Sequence, residues 1–348
     1  SSFKPLQIIK RQLSFGKNSN SLRHGLVVFQ FATSLTLIIC TLLVQRQMSF
    51  IQNSDPGFER DQLVIIHNDG EIQNHQREDF KGNFISSSNV QNLSFSTGIP
   101  MSGDFQMRSF NIPTNDLEQG MNWYEADASY LETYQFKLTE GRNFVETEGA
   151  DRNKIIINQT AARQLGILDD AIGQIVIKNA GTNDEATLEV VGLVEDFNFE
   201  TFRNEIKPLV IEYMHDYYLR DYISVKVQGG NITAGVAELE TAWKKFEPRV
   251  PMNYSFLDED FNRVYRSELK MANLLQVLTG ISILIACLGL FGLTAFTTER
   301  RYKEIGIRKV FGATMAEVFL MLSLSYLKLI LISILIAVPL AMVFMNKW

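Results

Sequence analysis

The chain has 348 residues, a formal net charge of −6 and 46% hydrophobic residues. Those averages conceal a partition. Residues 1–24 carry five basic groups and no acidic one, residues 45–270 carry 21 basic and 36 acidic groups, and the rest is basic. So large an acidic segment repels phosphate and excludes nucleic acid as a partner, whereas basic edges around uncharged runs fit a membrane protein with an acidic extracytoplasmic domain.

In chain order, residues 1–20 place Phe3, Leu6, Ile9 and Leu13 at roughly helical spacing among basic groups. This pattern predicts an amphipathic helix on the cytoplasmic face. Gly25–Gln45 is the first uncharged run. It is longer than a signal-peptide core and no small-residue cleavage site follows it. The helix over 21–54 is therefore expected to continue past the membrane as a stalk and stop at Asp55-Pro56-Gly57, a turn signal.

Residues 55–257 read as a large α+β domain. Strands are predicted at 62–67, 90–97, 123–128, 154–157, 174–178, 188–194, 209–213, 222–228 and 252–257. Helices are predicted at 74–88 (with Phe80, Phe84 and Ile85 on one face), 130–134, 159–165 and 232–246. The strand-helix-strand patterns at 62–97 and 222–257 are alike, so they are expected to pack together, with 100–215 inserted as a second subdomain.

No helix breaker stands between Asp258 and Gly280, and Met271–Thr298 is uncharged. An unbroken helix over 258–298, capped by Asp258, would be about 60 Å long. A bilayer core takes about 30 Å, so half of it would form a second stalk. Residues 299–314 are a short basic segment, and 315–348 contain a third apolar run, uncharged from Leu329 to Asn346. Arg300, Arg301, Lys303, Arg308 and Lys309 are expected to face the cytoplasm. Ala286, Gly289 and Gly292 form a small-residue stripe suited to close helix packing.

Catalytic signatures are absent: there is no phosphate-binding loop, no H-E-x-x-H, no C-x-x-C and no G-x-S-x-G. The chain is accordingly expected to be no enzyme and to need no cofactor and no metal. His67 and His75, beside Asp69 and Glu71, have ligand chemistry but read as exposed loop residues. Asp258, Glu259 and Asp260 read as a helix start favoured by the helix dipole rather than as a cation site. Both cysteines, Cys40 and Cys287, lie in apolar runs, so the polar domain has no disulfide framework.

Within 299–314, Ile305, Ile307, Val310 and Phe311 interleave with Lys303, Glu304, Arg308 and Lys309. A basic loop obeying the positive-inside rule needs no such order, but a short helix docking in a partner's groove does. Glu304 and Arg308 are four apart and share a helix face. Gly306 and Gly312 permit close approach or a turn.

Arg301-Tyr-Lys-Glu-Ile-Gly-Ile-Arg-Lys-Val-Phe-Gly-Ala-Thr314 resembles the cytoplasmic coupling segment of MacB/FtsX-like ABC transporter permeases. His24-Gly-Leu-Val-Val-Phe-Gln-Phe-Ala32 is similar to that family's first span in Bacteroidetes-type members. Glu140-Gly-Arg-Asn-Phe144, Ile157-Asn-Gln-Thr-Ala-Ala162 and Val191-Gly-Leu-Val-Glu-Asp-Phe-Asn-Phe199 are similar to its periplasmic core domain and occur in the family's order. The resemblance implies an α-helical membrane protein of the bacterial inner membrane, with a large periplasmic domain between its first two spans. Three spans are seen and the family's fourth is missing. With no initiator Met, that suggests the second half of a longer chain.

It also implies a separate cytoplasmic P-loop ATPase, contacted by Arg301, Lys303, Glu304, Ile305, Gly306, Arg308, Lys309 and Gly312. Further implied partners are membrane lipid, a second permease copy or half, and a periplasmic adaptor. The expected function is mechanotransmission for export of peptides, drugs or lipoproteins. The alternative is a non-transporting sensor or division-type regulator acting on a periplasmic partner.

Overall fold

The computed structural model describes residues 5–84, 87–103, 105–147, 149–214 and 221–345, with side chains from Leu22 onward. Phe3 and Ile85 lie outside the described residues. The chain divides into two compact units, Ser54–Arg266 and the flanking Ser1–Asn53 with Ser267–Trp348.

The flanking unit is helical. Helix α1 runs from Pro5 to Asn53, 49 residues or about 74 Å at 1.5 Å per residue. No break separates residues 5–20 from the first apolar run, so over these residues the separate N-terminal helix expected above is part of α1. Pro5 stands at the first position of the helix, where proline is tolerated, and Gly16 costs about 1 kcal/mol, too little to end a helix whose neighbours continue it. Asp55-Pro56-Gly57 does stop α1: Gly57 has φ +89 and its N–H donates to Asp55 Oδ1 at 2.8 Å.

At the return, α6 (Leu257–Val264) is followed by α7 (Arg266–Arg300). The single helix expected over 258–298 is therefore interrupted at Tyr265, which has φ −97 and ψ 9. The Tyr265 ring is buried and its hydroxyl accepts from Phe202 N–H at 2.9 Å, which fixes the residue off the helical path. The acidic triplet does occupy the first turn of α6. Helix α8 (Tyr302–Val310) and α9 (Met315–Met345) complete the unit, α9 continuing through Pro339. Leu22–Asn53, Arg266–Arg300 and Met315–Met345 are long and apolar enough to cross a membrane.

The middle unit contains two lobes. One is built from β1 (Leu63–Asn68), α2 (Arg77–Gly82), β2 (Val90–Ser96), β10 (Asp221–Val227), α5 (Ile232–Phe246) and β11 (Tyr254–Phe256), with strand order β11-β1-β10-β2 and antiparallel neighbours. Each strand-helix-strand pair leaves room for one strand of the other pair, the split βαβ arrangement. Phe80, Leu239 and Trp243 pack on Val64, Ile66, Phe95, Ile223 and Val225. The two similar patterns do pack together. Helix α2 is shorter than the predicted 74–88, because a turn of 3-10 helix precedes it and Asn83 ends it.

Between β2 and β10 lies the inserted lobe. It comprises β3 (Gln106–Ile112), β4 (Asn115–Ala126), α3 (Tyr130–Thr133), β5 (Leu138–Gly141), β6 (Lys154–Asn158), α4 (Gln159–Leu165), β7 (Ile175–Lys178), β8 (Ala186–Val194) and β9 (Leu209–Tyr213). The pairings β4–β3–β7–β8–β6–β9 return to β4, so six strands close into a barrel with β5 outside on β8. Closure leaves these strands no free edge. Phe110, Met121, Ile155, Ile157, Val176, Leu188, Val190 and Val210 fill it. The strand β3 and the first half of β4 were not legible: Gln106-Met-Arg-Ser-Phe and Asn115-Asp-Leu-Glu-Gln-Gly are too polar to show alternation.

Between β2 and β4 the only described register pair is Ser96–Ala126. Lys81 of α2 adds a bridge between lobes, to Asp127 at 2.9 Å and Glu146 at 2.8 Å. Burial works to lower the Lys81 pKa, but the two carboxylates outweigh it and hold it above the ordinary lysine range.

Candidate coupling segment and helix interface

The segment between α7 and α9 is shaped by three local devices. Arg301 N–H still donates to Thr297 O at 3.0 Å, so α7 and α8 meet with only Arg301 off the helix. Glu304 and Arg308 then pair across one turn, Nη2 to Oε1 at 3.2 Å. Both are about half exposed, and such a pair is worth about 0.3–0.5 kcal/mol. Finally α8 ends at Val310 with Phe311 as its cap, and Gly312 follows with φ +91. Gly312 N–H donates to Lys309 O and Ala313 N–H to Arg308 O, and a glycine adopts this left-handed cap without strain. Helix α9 starts with a reciprocal capping box: Thr314 N–H donates to Glu317 Oε2 at 3.0 Å and Glu317 N–H to Thr314 Oγ1 at 3.3 Å.

The expected coupling residues Arg301, Lys303, Glu304, Ile305, Gly306, Arg308, Lys309 and Gly312 therefore lie together on one short helix and its cap. Gly312 shapes the turn, while a Cβ on Gly306 would meet nothing within 4 Å. Several apolar side chains of this segment are largely exposed. Val310 and Phe311 are 87% and 86% exposed, Tyr302 75% and Ile307 58%.

Around α1 the helices are tied by small and polar residues. Ser34 Oγ and Ser282 Oγ lie 2.7 Å apart, and Thr41 Oγ1 and Thr279 Oγ1 2.8 Å. Ala286 is buried, and a Cβ on Gly289 would fall 2.5 Å from Gln30 Oε1. A Cβ on Gly292 would meet nothing within 4 Å among the described residues. A second small-residue row lies on α9: Ser333, Ala337 and Ala341, four apart and at most 1% exposed. Ser333 Oγ donates to Val28 O at 3.1 Å. Their i, i+4 spacing was the available signal.

His67 is not a loop residue but part of β1, its ring edge-on to Tyr222 and its Nε2 3.3 Å from Ser255 Oγ. His75 is exposed. Among the described residues no three His, Cys, Asp or Glu side chains cluster to hold a metal.

An acidic α/β unit inserted among helices long and apolar enough to cross a membrane, with a short basic helix between the last two, fits the class of multi-span membrane proteins with a large polar domain. Family comparison makes this specific: residues 31–242 match the MacB-like periplasmic core domain, and residues 277–348 match the FtsX-like permease C-terminal region. The chain belongs to the MacB/FtsX-like family of ABC transporter permeases, a family that implies a cytoplasmic ATPase partner.

Among solved structures it is similar to the periplasmic region of MacB from Actinobacillus actinomycetemcomitans, at 14% identity and TM-score 0.43, covering 59% of this chain and 93% of that one. It is also similar to the extracellular domain of the noncanonic ABC-type transporter YknZ from Gram-positive bacteria, at 13% identity and TM-score 0.38, covering 58% and 90%. A domain of a putative permease protein from Porphyromonas gingivalis matches at 14% identity and TM-score 0.39, covering 57% and 91%. No curated protein matches.

Proposed function

We propose that this chain is the permease subunit of an ABC system whose separate cytoplasmic ATPase drives motion of the acidic unit on the far side of the inner membrane. The cargo class is peptides, drugs or lipoproteins, moved by mechanotransmission rather than through the bilayer. The N-terminus and 299–314 lie in the cytoplasm and residues 55–257 in the periplasm, with the overshooting parts of the helices acting as stalks. A second permease copy or half and a periplasmic adaptor complete the assembly. The chain itself carries no hydrolytic chemistry.

The observation that supports this reading is α8. Val310, Phe311, Tyr302 and Ile307 stand exposed beside Lys303, Arg308 and Lys309, as a helix that fills a partner's groove requires. Because Glu304 and Arg308 satisfy each other, the apolar pair Val310–Phe311 is the stronger anchor, and buried apolar anchors carry most interface energy.

The test is co-purification of the ATPase with wild type, Phe311→Ser and Glu304→Lys in detergent, with circular dichroism as the folding control. Phe311→Ser is expected to lose at least tenfold in affinity and Glu304→Lys less. Folded variants that retain the ATPase and transport as wild type does would reduce the segment to a basic loop.

A further inference from the structure

The chain enters the middle unit through residues 55–60 and leaves it through α6 and Tyr265, and both passages rest on one loop between β8 and β9. On the entry side, Asn198 N–H donates to Pro56 O at 2.8 Å, and a Cβ on Gly57 would stand 2.8 Å from Phe197 Cβ. The Phe58 ring packs against Phe197 at 6.3 Å and Phe136 at 6.0 Å. On the exit side, Phe202 N–H donates to Tyr265 Oη at 2.9 Å and the Phe202 ring stands edge-on to Phe261 at 6.2 Å. Arg60 lies over the Phe261 ring at 4.4 Å, joining entry to exit directly.

The loop's other attachments lead to α4 of the inserted lobe and to the segment between β2 and β3. Asp196 accepts from Thr160 N–H and Thr160 Oγ1, each at 2.8 Å, at the start of α4. Phe199 O accepts from Met101 N–H at 2.7 Å. Phe197 and Phe199 are fully buried, so the loop is clamped rather than draped. Between the inserted lobe and the split βαβ lobe there is one described β2–β4 register pair, Ser96–Ala126, joined by the Lys81 bridges to Asp127 and Glu146, the Tyr134–Ser224 hydroxyl pair at 2.7 Å and Phe95 N–H donating to Asp127 Oδ2 at 2.8 Å.

We propose that Asp196–Phe202 is the transmission element of this protein. It receives displacement of both chain passages and delivers it to the barrel, which shifts against the split βαβ lobe. This inference rests on the ATPase-driven reading above. Tyr265 and Phe202 are positioning residues, since a packed, hydrogen-bonded contact passes a displacement on only while it is closed.

The test uses the full chain with its ATPase in lipid nanodiscs, Cys40 and Cys287 replaced by Ser. Spin labels stand at Asp184→Cys in the barrel and Thr241→Cys on α5, both exposed. Adding ATP is expected to change the inter-label distance in wild type, and Tyr265→Phe or Phe261→Leu to cut that change at least twofold. Tyr254→Phe, away from the loop, is expected to leave it intact. Thermal midpoints and ATPase retention check folding and assembly. If wild type responds and Tyr265→Phe and Phe261→Leu respond equally, the transmission element is wrong while the ATPase-driven reading stands. If wild type itself does not respond, that reading falls and the transmission element with it.

Discussion

Arg142 grips Asp151 at two points, Nη1 to Oδ2 and Nη2 to Oδ1, each at 2.7 Å. The Asp151 side chain is 1% exposed and also accepts from Val145 N–H at 2.7 Å. The pair closes the segment after β5, giving the Glu140-Gly-Arg-Asn-Phe144 motif a structural reason.

Its pH dependence has a definite sign. The Arg142 hydrogen bonds, helped by Val145 N–H, hold Asp151 below the ordinary carboxylate range against the cost of burial. A depressed folded pKa stabilises above the unfolded value of about 3.9 and that stability is lost as pH falls through the folded value. Asp151→Asn is expected to cost about 1–3 kcal/mol at pH 7 and to flatten the acid limb of stability below about pH 4. Thermal unfolding from pH 7 to pH 2, followed by tryptophan fluorescence, measures both.

Gly141 and Gly181 separate backbone strain from collision. Both have positive φ, +77 and +70. A Cβ on Gly141 would stand 2.2 Å from Val191 O, whereas Gly181 has nothing within 4 Å. Gly181→Ala is expected to cost about 1 kcal/mol. Gly141→Ala should cost several times more, since backbone must move as well. Denaturant midpoints of the two variants decide the matter, and equal costs would contradict it.

In the apolar helices the same logic divides Gly289 from Gly292. Gly289→Leu must expel the Gln30 side chain, while Gly292→Leu meets open space. Thermal stability in detergent is expected to fall for the first and hold for the second. Thr41→Val should cost about 0.6–1 kcal/mol through loss of its Thr279 partner.

Sidedness is checked by cysteine labelling of intact cells, in a chain with Cys40 and Cys287 replaced by Ser. Asp184→Cys is expected to react with an impermeant maleimide and Thr314→Cys only after permeabilisation. The reverse pattern would overturn the proposed topology.

Much of this was legible in one dimension because the signals are local. A run of apolar residues longer than about 18 cannot be satisfied except in a membrane or a deep core, so the three candidate spans follow from composition. Gln159–Leu165 is announced by Asn158 and Gly166, which do cap it, Asn158 Oδ1 accepting from Ala161 N–H and Gly166 standing at φ +75. The capping box at Thr314 is likewise written in the letters Thr-Met-Ala-Glu.

What the sequence could not decide was every relation between distant segments. The barrel closes because β4 pairs with β9, 87 residues away (Asn122 with Leu209), and no periodicity in either strand encodes its partner. The break at Tyr265 is invisible locally, since Arg263-Val-Tyr-Arg-Ser267 has nothing to stop a helix. It exists because the Tyr265 hydroxyl is held by Phe202 N–H, 63 residues upstream. Helix propensity differs by less than about 1 kcal/mol among such residues, so one part-buried tertiary hydrogen bond with its packed rings is enough to override it.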